Sequence, residues 1–301
     1  MKKQPIISIK PSSISKFTKW IDFLNENRLT NKPENAGQND IHFHFDQNIF
    51  LEPYHITSLA CLIQEYALAN FNISFSFHPE NLLLREYLTQ IQFIQRWDDS
   101  IYNDTNFNYY NTNLALWHLS SERLHEYAQK VTSYITQLTR HEKDCSALSI
   151  ILAELFNNII DHSGSVSIGF SLIEFYPSSK KIKLALCDLG IGIPKKIQIY
   201  QENAELPIDS QDTCLVQAFK LKFTTQSTPQ NRGRGLDTIK SIMLQNELLR
   251  VVSNKAIFSI NHASENCLIN RFNFPGTCIE IILDTKKLPN YSDLIEDIEF
   301  G

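Results

Sequence analysis

The chain of 301 residues has no excess of positive charge: 28 Lys and Arg stand against 33 Asp and Glu, a net charge of −5. That argues against a broad basic surface, and no nucleic acid is expected as a partner. No two of the six cysteines, Cys61, Cys145, Cys187, Cys214, Cys267 and Cys278, have Cys-x-x-Cys spacing. A zinc site is not expected; buried free thiols of a cytosolic protein are. No apolar run reaches the length of a membrane span. Too few apolar residues follow Met1-Lys2-Lys3 to form a signal-peptide core. No internal repeat is visible. The expectation is a cytoplasmic protein with no membrane segment.

What is present is ordinary globular composition, 43% hydrophobic and 20% charged, in a chain long enough for two domains. A short strand and a helix from about Ser12 to Asn27 come first. Ile41 to Phe45 alternates apolar and polar, the period of a strand. Glu52 to Ala69 carries Leu59, Leu62, Ile63 and Tyr66 at helical spacing. Phe71, Ile73, Phe75 and Phe77 alternate again, and Asn81 to Ile94 reads as a helix. This βαβα order predicts an α/β layer on a parallel sheet. Asp98 to Asn113, dense in Asn, Asp and Tyr, reads as a linker. A helix is expected over about 114–138 and another over 144–161. Strands follow at about 166–175 and 181–187, then two short helices, a polar loop over 224–235 and a helix over 236–245. Strands at 248–253, 256–261 and 278–284 close the chain. The resulting division is an extension at 1–40, domains at 41–97 and 141–290, a connector at 98–140 and a tail at 291–301.

Four pieces carry chemistry. Glu154 and Asn158 lie four apart on one helix face, and Asp161 and His162 extend that face by a turn. A carboxylate can act as a general base, and an Asn carbonyl is a hard ligand suited to Mg²⁺. Adjacent asparagines in a helix cost propensity, which points to a role other than helix formation. The second piece is Asp188-Leu189-Gly190-Ile191-Gly192 at a strand end. Its Asp can accept from an exocyclic amine, and its glycines permit close approach. The third is Arg232-Gly233-Arg234-Gly235-Leu236 leading into a helix, where backbone N–H groups and the arginines suit phosphate. The fourth is Gly276-Thr277 before the last strand.

In this order the pieces resemble the GHKL ATPase superfamily over about 143–285. The resemblance implies a Bergerat-type α/β sandwich, a mixed sheet covered by helices on one face. It also implies ATP and Mg²⁺ as cofactors. Glu154 would be the catalytic base and Asn158 the metal ligand. Asp188, with Gly190 and Gly192, would read adenine. Gly233, Gly235 and Leu236 would cradle phosphate at the end of a flexible lid, and Thr277 would stand near the base. Asp161, His162, Arg232 and Arg234 complete the expected binding set. Asp237 departs from the pattern, since kinases of the superfamily often carry glycine there. A Rossmann reading of Asp188–Gly192 fails, because no third glycine follows at the required spacing.

Residues 41–95 are similar to a STAS domain in element order and in Phe50-Leu51-Glu52-Pro53 entering a helix. The serine of signalling members is missing from Glu52-Pro53-Tyr54-His55, so an interaction or sensing module is implied. His42 and His44 read as a polar strand face. His118 and His125, seven apart, read as surface residues of a helix. The functional expectation is an ATP–Mg²⁺-binding regulatory protein that hydrolyses ATP or transfers its γ-phosphate to a protein partner. The competing readings are an ATP-dependent binding switch without turnover and, third, an ATP-gated homodimer.

Overall fold

The computed structural model describes residues 5–31, 39–97, 116–119, 124–140, 142–146, 148–152, 154–155, 169–220, 235–243, 247–261 and 264–290. It is a mixed α/β protein with one parallel and one antiparallel sheet.

The first sheet has β1 (Ile6–Ile9), β2 (Asp40–Phe45) and β3 (Asn72–Phe77), side by side and all parallel. Ile7, Ile9, Ile41, Phe43 and Phe45 alternate into the core, as the two-residue period requires. The opposite face is polar. There His42 Nδ1 lies 2.9 Å from Ser74 Oγ, while His42 Nε2 and His44 Nδ1 lie 2.7 and 2.8 Å from Ser76 Oγ. The two histidines therefore belong to a polar strand face, as expected.

Three helices accompany this sheet: α1 (Pro11–Ile14), α2 (Phe17–Glu26) and α3 (Pro53–Leu68). The expected first helix is thus two, broken at Ser15 and Lys16. Helix α3 starts on a reciprocal cap. The Glu52 side chain accepts from the His55 backbone, and the Glu52 N–H donates to His55 Nδ1 at 3.0 Å. Pro53 fills the first helical position, where its missing N–H costs nothing. A fourth helix, α4 (Leu82–Gln90), follows β3.

The second sheet contains β4 (Trp117–His118), β5 (Gly169–Tyr176), β6 (Lys181–Asp188), β7 (Leu248–Asn261) and β8 (Ser264–Asp284) in the order β4-β5-β6-β8-β7. Every pairing among the described residues is antiparallel, where a mixed sheet was expected. Trp117 and His118 pair with Ser171 and Phe170, so the helix expected over 114–138 gives way here to a strand. It begins later, as α5 (Leu124–Leu138). His118 accordingly sits on a strand against the Phe170 ring, 5.2 Å between centroids, and not on a helix surface. The two strands expected at 248–253 and 256–261 are one strand, β7, irregular at Ser253–Ala256.

One face of this sheet, with Ile173, Leu184, Val251 and Ile281, packs on α5, on α6 (helical at 148–152 and 154–155), on α7 (Ile193–Asn203), α8 (Gln211–Ala218) and α9 (Gly235–Met243). The other face is covered too, against the expectation of helices on one face. Phe170, Leu172, Ala185, Cys187, Val252 and Cys278 form one cluster with α2, α3 and the first sheet. The physical reason lies in the strands, which are apolar on both parities: Leu184 and Leu186 point one way, Ala185 and Cys187 the other.

Helix α3 fills the space between the sheets, and Ile56, Thr57, Ser58, Leu59, Ala60, Cys61, Leu62 and Ile63 are all buried. Thr57 and Ser58 survive there because their hydroxyls donate back to Pro53 O at 3.1 Å and Tyr54 O at 2.5 Å, which satisfies groups that burial would otherwise penalise. At the far end of the same sheet face the contacts are charged. Lys183 pairs with Glu52, Arg250 with Glu280 at 2.7 Å, and the Tyr87 hydroxyl donates to Glu174. No helix among the described residues is long and apolar enough to cross a membrane, and their six cysteines are free thiols, five of them buried.

Candidate functional site

Strand β6 ends at Asp188, and register pairs Asp188 with Thr277 of β8. Asp188 is 3% exposed. Its Oδ1 accepts from the Gly190 N–H at 2.7 Å. Burial pushes its carboxyl up to about 7, opposed by the backbone N–H groups of Gly190 and Thr277. A buried carboxylate with this bias favours any partner that donates a hydrogen bond to it.

The turn after Asp188 is locked from β7 by Ser253 and Asn254. Ser253 Oγ donates to Gly276 O at 2.9 Å and accepts from the Ile193 N–H at 2.9 Å. With its one proton used on Gly276, the 3.0 Å contact to Thr277 Oγ1 is donated by Thr277. Asn254 Nδ2 donates to Ile191 O at 3.0 Å, and its Oδ1 accepts from the Lys195 N–H at 3.0 Å. This bond meets one of the orphan donors at the start of α7.

Two glycines are required by this arrangement. Gly276 has φ +75, and a Cβ there would stand 2.2 Å from Asp188 O. Gly192 has φ +81, and a Cβ would stand 2.6 Å from Asn254 Nδ2. Asp188, Gly190, Gly276 and Thr277 are therefore brought into contact from two separate stretches of the sequence. Ser253 and Asn254 were not singled out. Their signal was the polar triplet Ser253-Asn254-Lys255 interrupting the mostly apolar run Leu248–Ile260, at the point where the β7–β8 register shifts.

Glu154 lies on α6 between Leu152 and Leu155, both buried, and is itself half-buried. That burial raises its carboxyl above the ordinary range, the direction that suits a general base. Gly235 begins α9, and Leu236 is buried in the core; what Leu236 can offer a ligand is its backbone. Asn158, Asp161, His162, Arg232, Gly233 and Arg234 lie outside the described residues. Among the described residues no group of three or more His, Cys, Asp or Glu is arranged to hold a metal ion.

Compared with protein-family models and with curated proteins, the chain gives no match.

Proposed function

We propose that the protein binds ATP and Mg²⁺ in the manner of the GHKL superfamily and uses them to act on a protein partner, by hydrolysis or by transfer of the γ-phosphate. The observation that carries this reading is Asp188: a buried carboxylate at a strand end, held by the Gly190 N–H and approached to contact by Gly276. Such a group, raised by burial to about 7, is a poor structural choice unless a donor comes to it. The adenine amino group is that donor in this reading.

In this reading the residues divide the nucleotide among them. Asp188 would hold the base, the helix start at Gly235 would face phosphate, and Asn158 would hold Mg²⁺. The metal's contribution is charge neutralisation on the phosphates, which makes positioning most of the work. Glu154 would take the proton of the attacking water or partner hydroxyl, and its raised carboxyl favours that. We read residues 41–95 as the STAS-like module that meets the partner or the signal.

The test is a comparison of the wild-type protein and Glu154→Ala with γ-labelled ATP and Mg²⁺. Removing a general base lowers turnover by about 10²–10⁴-fold while leaving nucleotide binding within a few-fold. Wild-type turnover in the variant would overturn the role of Glu154. Binding without any turnover in the wild type would replace catalysis with an ATP-dependent binding switch.

A further inference from the structure

Strand β3 pairs only with β2 among the described residues. Among the described residues no further strand fills the space between its outer edge and α4, and a cleft of about 400 Å³ opens there. This is the size range of small-molecule sites. Phe75, Phe77, Leu82 and Ile94 supply its apolar walls. Phe75 and Phe77 are rings of the sheet's inner face, Phe77 stacked on Phe45 and Phe75 tilted against Phe43, yet both remain partly exposed. A second cleft of about 390 Å³ adjoins the first, and Leu82 and Arg85 line both.

The cleft's hydroxyls are engaged, Ser76 with His42 and His44 and Thr89 with Arg85 O, which leaves the donors of Arg85 and His78. Arg85 has no hydrogen bond or ion pair through its guanidinium among the described residues. His78 Nδ1 accepts from the Glu80 N–H at 3.3 Å, so a neutral His78 carries its proton on Nε2. His78 lines the same cleft. Of the nearby carboxylates, Glu80 accepts from Gln47, and Glu86 lines the adjoining cleft without pairing to Arg85.

We propose that this cleft binds a monocarboxylate with an apolar body, a medium-chain fatty acid or an aromatic acid. Arg85 takes the carboxylate, and the Phe75, Phe77, Leu82 and Ile94 walls take the body. The planar guanidinium matches a carboxylate through two parallel N–H donors. A dianionic phosphate fits worse, because Arg85 is the one fixed cation among the cleft's lining residues and Glu86 stands beside it. The site lies in the N-terminal half and is independent of the nucleotide reading.

The experiment is calorimetric titration of the full chain with octanoate, benzoate, 1-octanol and inorganic phosphate, repeated on Arg85→Gln. Arg85 is exposed on α4, so the variant is expected to keep the wild-type melting temperature. The proposal expects saturable binding of octanoate or benzoate, at least about tenfold weaker binding of octanol, and at least about tenfold loss in Arg85→Gln, the effect of one charge-assisted pair. A second variant, Leu82→Glu, places a like charge at the exposed rim and is expected to weaken the carboxylates further. Absence of carboxylate binding at 10 mM overturns the proposal. So does binding undiminished in Arg85→Gln, or phosphate binding as tightly as octanoate.

Discussion

Asp188 and Thr277 face each other across β6 and β8, and the Thr277 hydroxyl is turned toward Ser253, 3.0 Å away. The pair joins the carboxylate to the β7 residues that lock the following turn. Ser253 and Asn254 hold Ile193, Lys195 and Ile191 by their backbones, so the loop that presents Asp188 is fixed before any ligand arrives. Such preorganisation lowers the cost of ordering a loop on binding.

Burial of Asp188 has a pH signature. Its carboxyl is raised in the folded state to about 7, so the folded protein holds this proton more tightly than the unfolded chain. The resulting stability is fully present below the ordinary carboxylate value near 4 and is lost as pH rises through about 7. Asp188→Asn removes the charge. The variant is expected to be more stable than the wild type at pH 8, by on the order of a few kcal/mol, to keep only a minor part of that advantage at pH 5, and to lose it below the ordinary carboxylate value near 4. Urea unfolding at the two pH values measures this.

Gly276→Ala tests the close approach of the two strands. The substitution puts a Cβ 2.2 Å from Asp188 O on a residue with φ +75. The expected cost is about 2 kcal/mol or more, read by urea unfolding. An alanine tolerated without loss would mean that the β6–β8 contact shifts easily and does not fix Asp188.

The two halves of the chain are tied by a buried carboxylate. Tyr87 of α4 and Tyr176 of β5 both donate to Glu174, whose carboxyl is raised by burial and lowered in turn by these two phenols. Tyr87→Phe leaves the carboxylate with one fewer donor. The expected loss is about 1–3 kcal/mol at pH 8, shrinking at acid pH where the carboxyl is neutral. Denaturant unfolding at the two pH values reads this difference.

Much of this was legible in sequence where a single period dominates. Ile41–Phe45 and Phe71–Phe77 announced strands, and the βαβα order announced a parallel sheet. The turns at Gly190–Gly192 and Gly276 were readable because glycine marks backbone that other residues do not adopt, as the positive φ of Gly192 and Gly276 bears out. The role of α3 was not. Leu59, Leu62, Ile63 and Tyr66 mark one apolar face, but Thr57, Ser58, Ala60 and Cys61 are buried as well. A helix between two sheets needs no polar face, and small residues that bond to their own backbone hide that fact. Trp117-His118 was misread as helix because a two-residue strand has too few positions to show a period, and it forms only through pairing with Phe170 and Ser171. Ser253 and Asn254 act through distant backbone groups that sequence order does not bring near.

The central claim is that Asp188 receives a nucleotide base, and equilibrium binding of Mg–ATP tests it most directly. A non-hydrolysable ATP analogue should be titrated into wild type and Asp188→Asn at pH 8 and pH 6. The account predicts saturable binding at pH 8 that weakens about tenfold at pH 6, as Asp188 takes up its proton near 7. It predicts at least about tenfold weaker binding in Asp188→Asn, with that pH dependence reduced. No binding by the wild type at millimolar analogue, or equal affinity in the two proteins at pH 8, would contradict it.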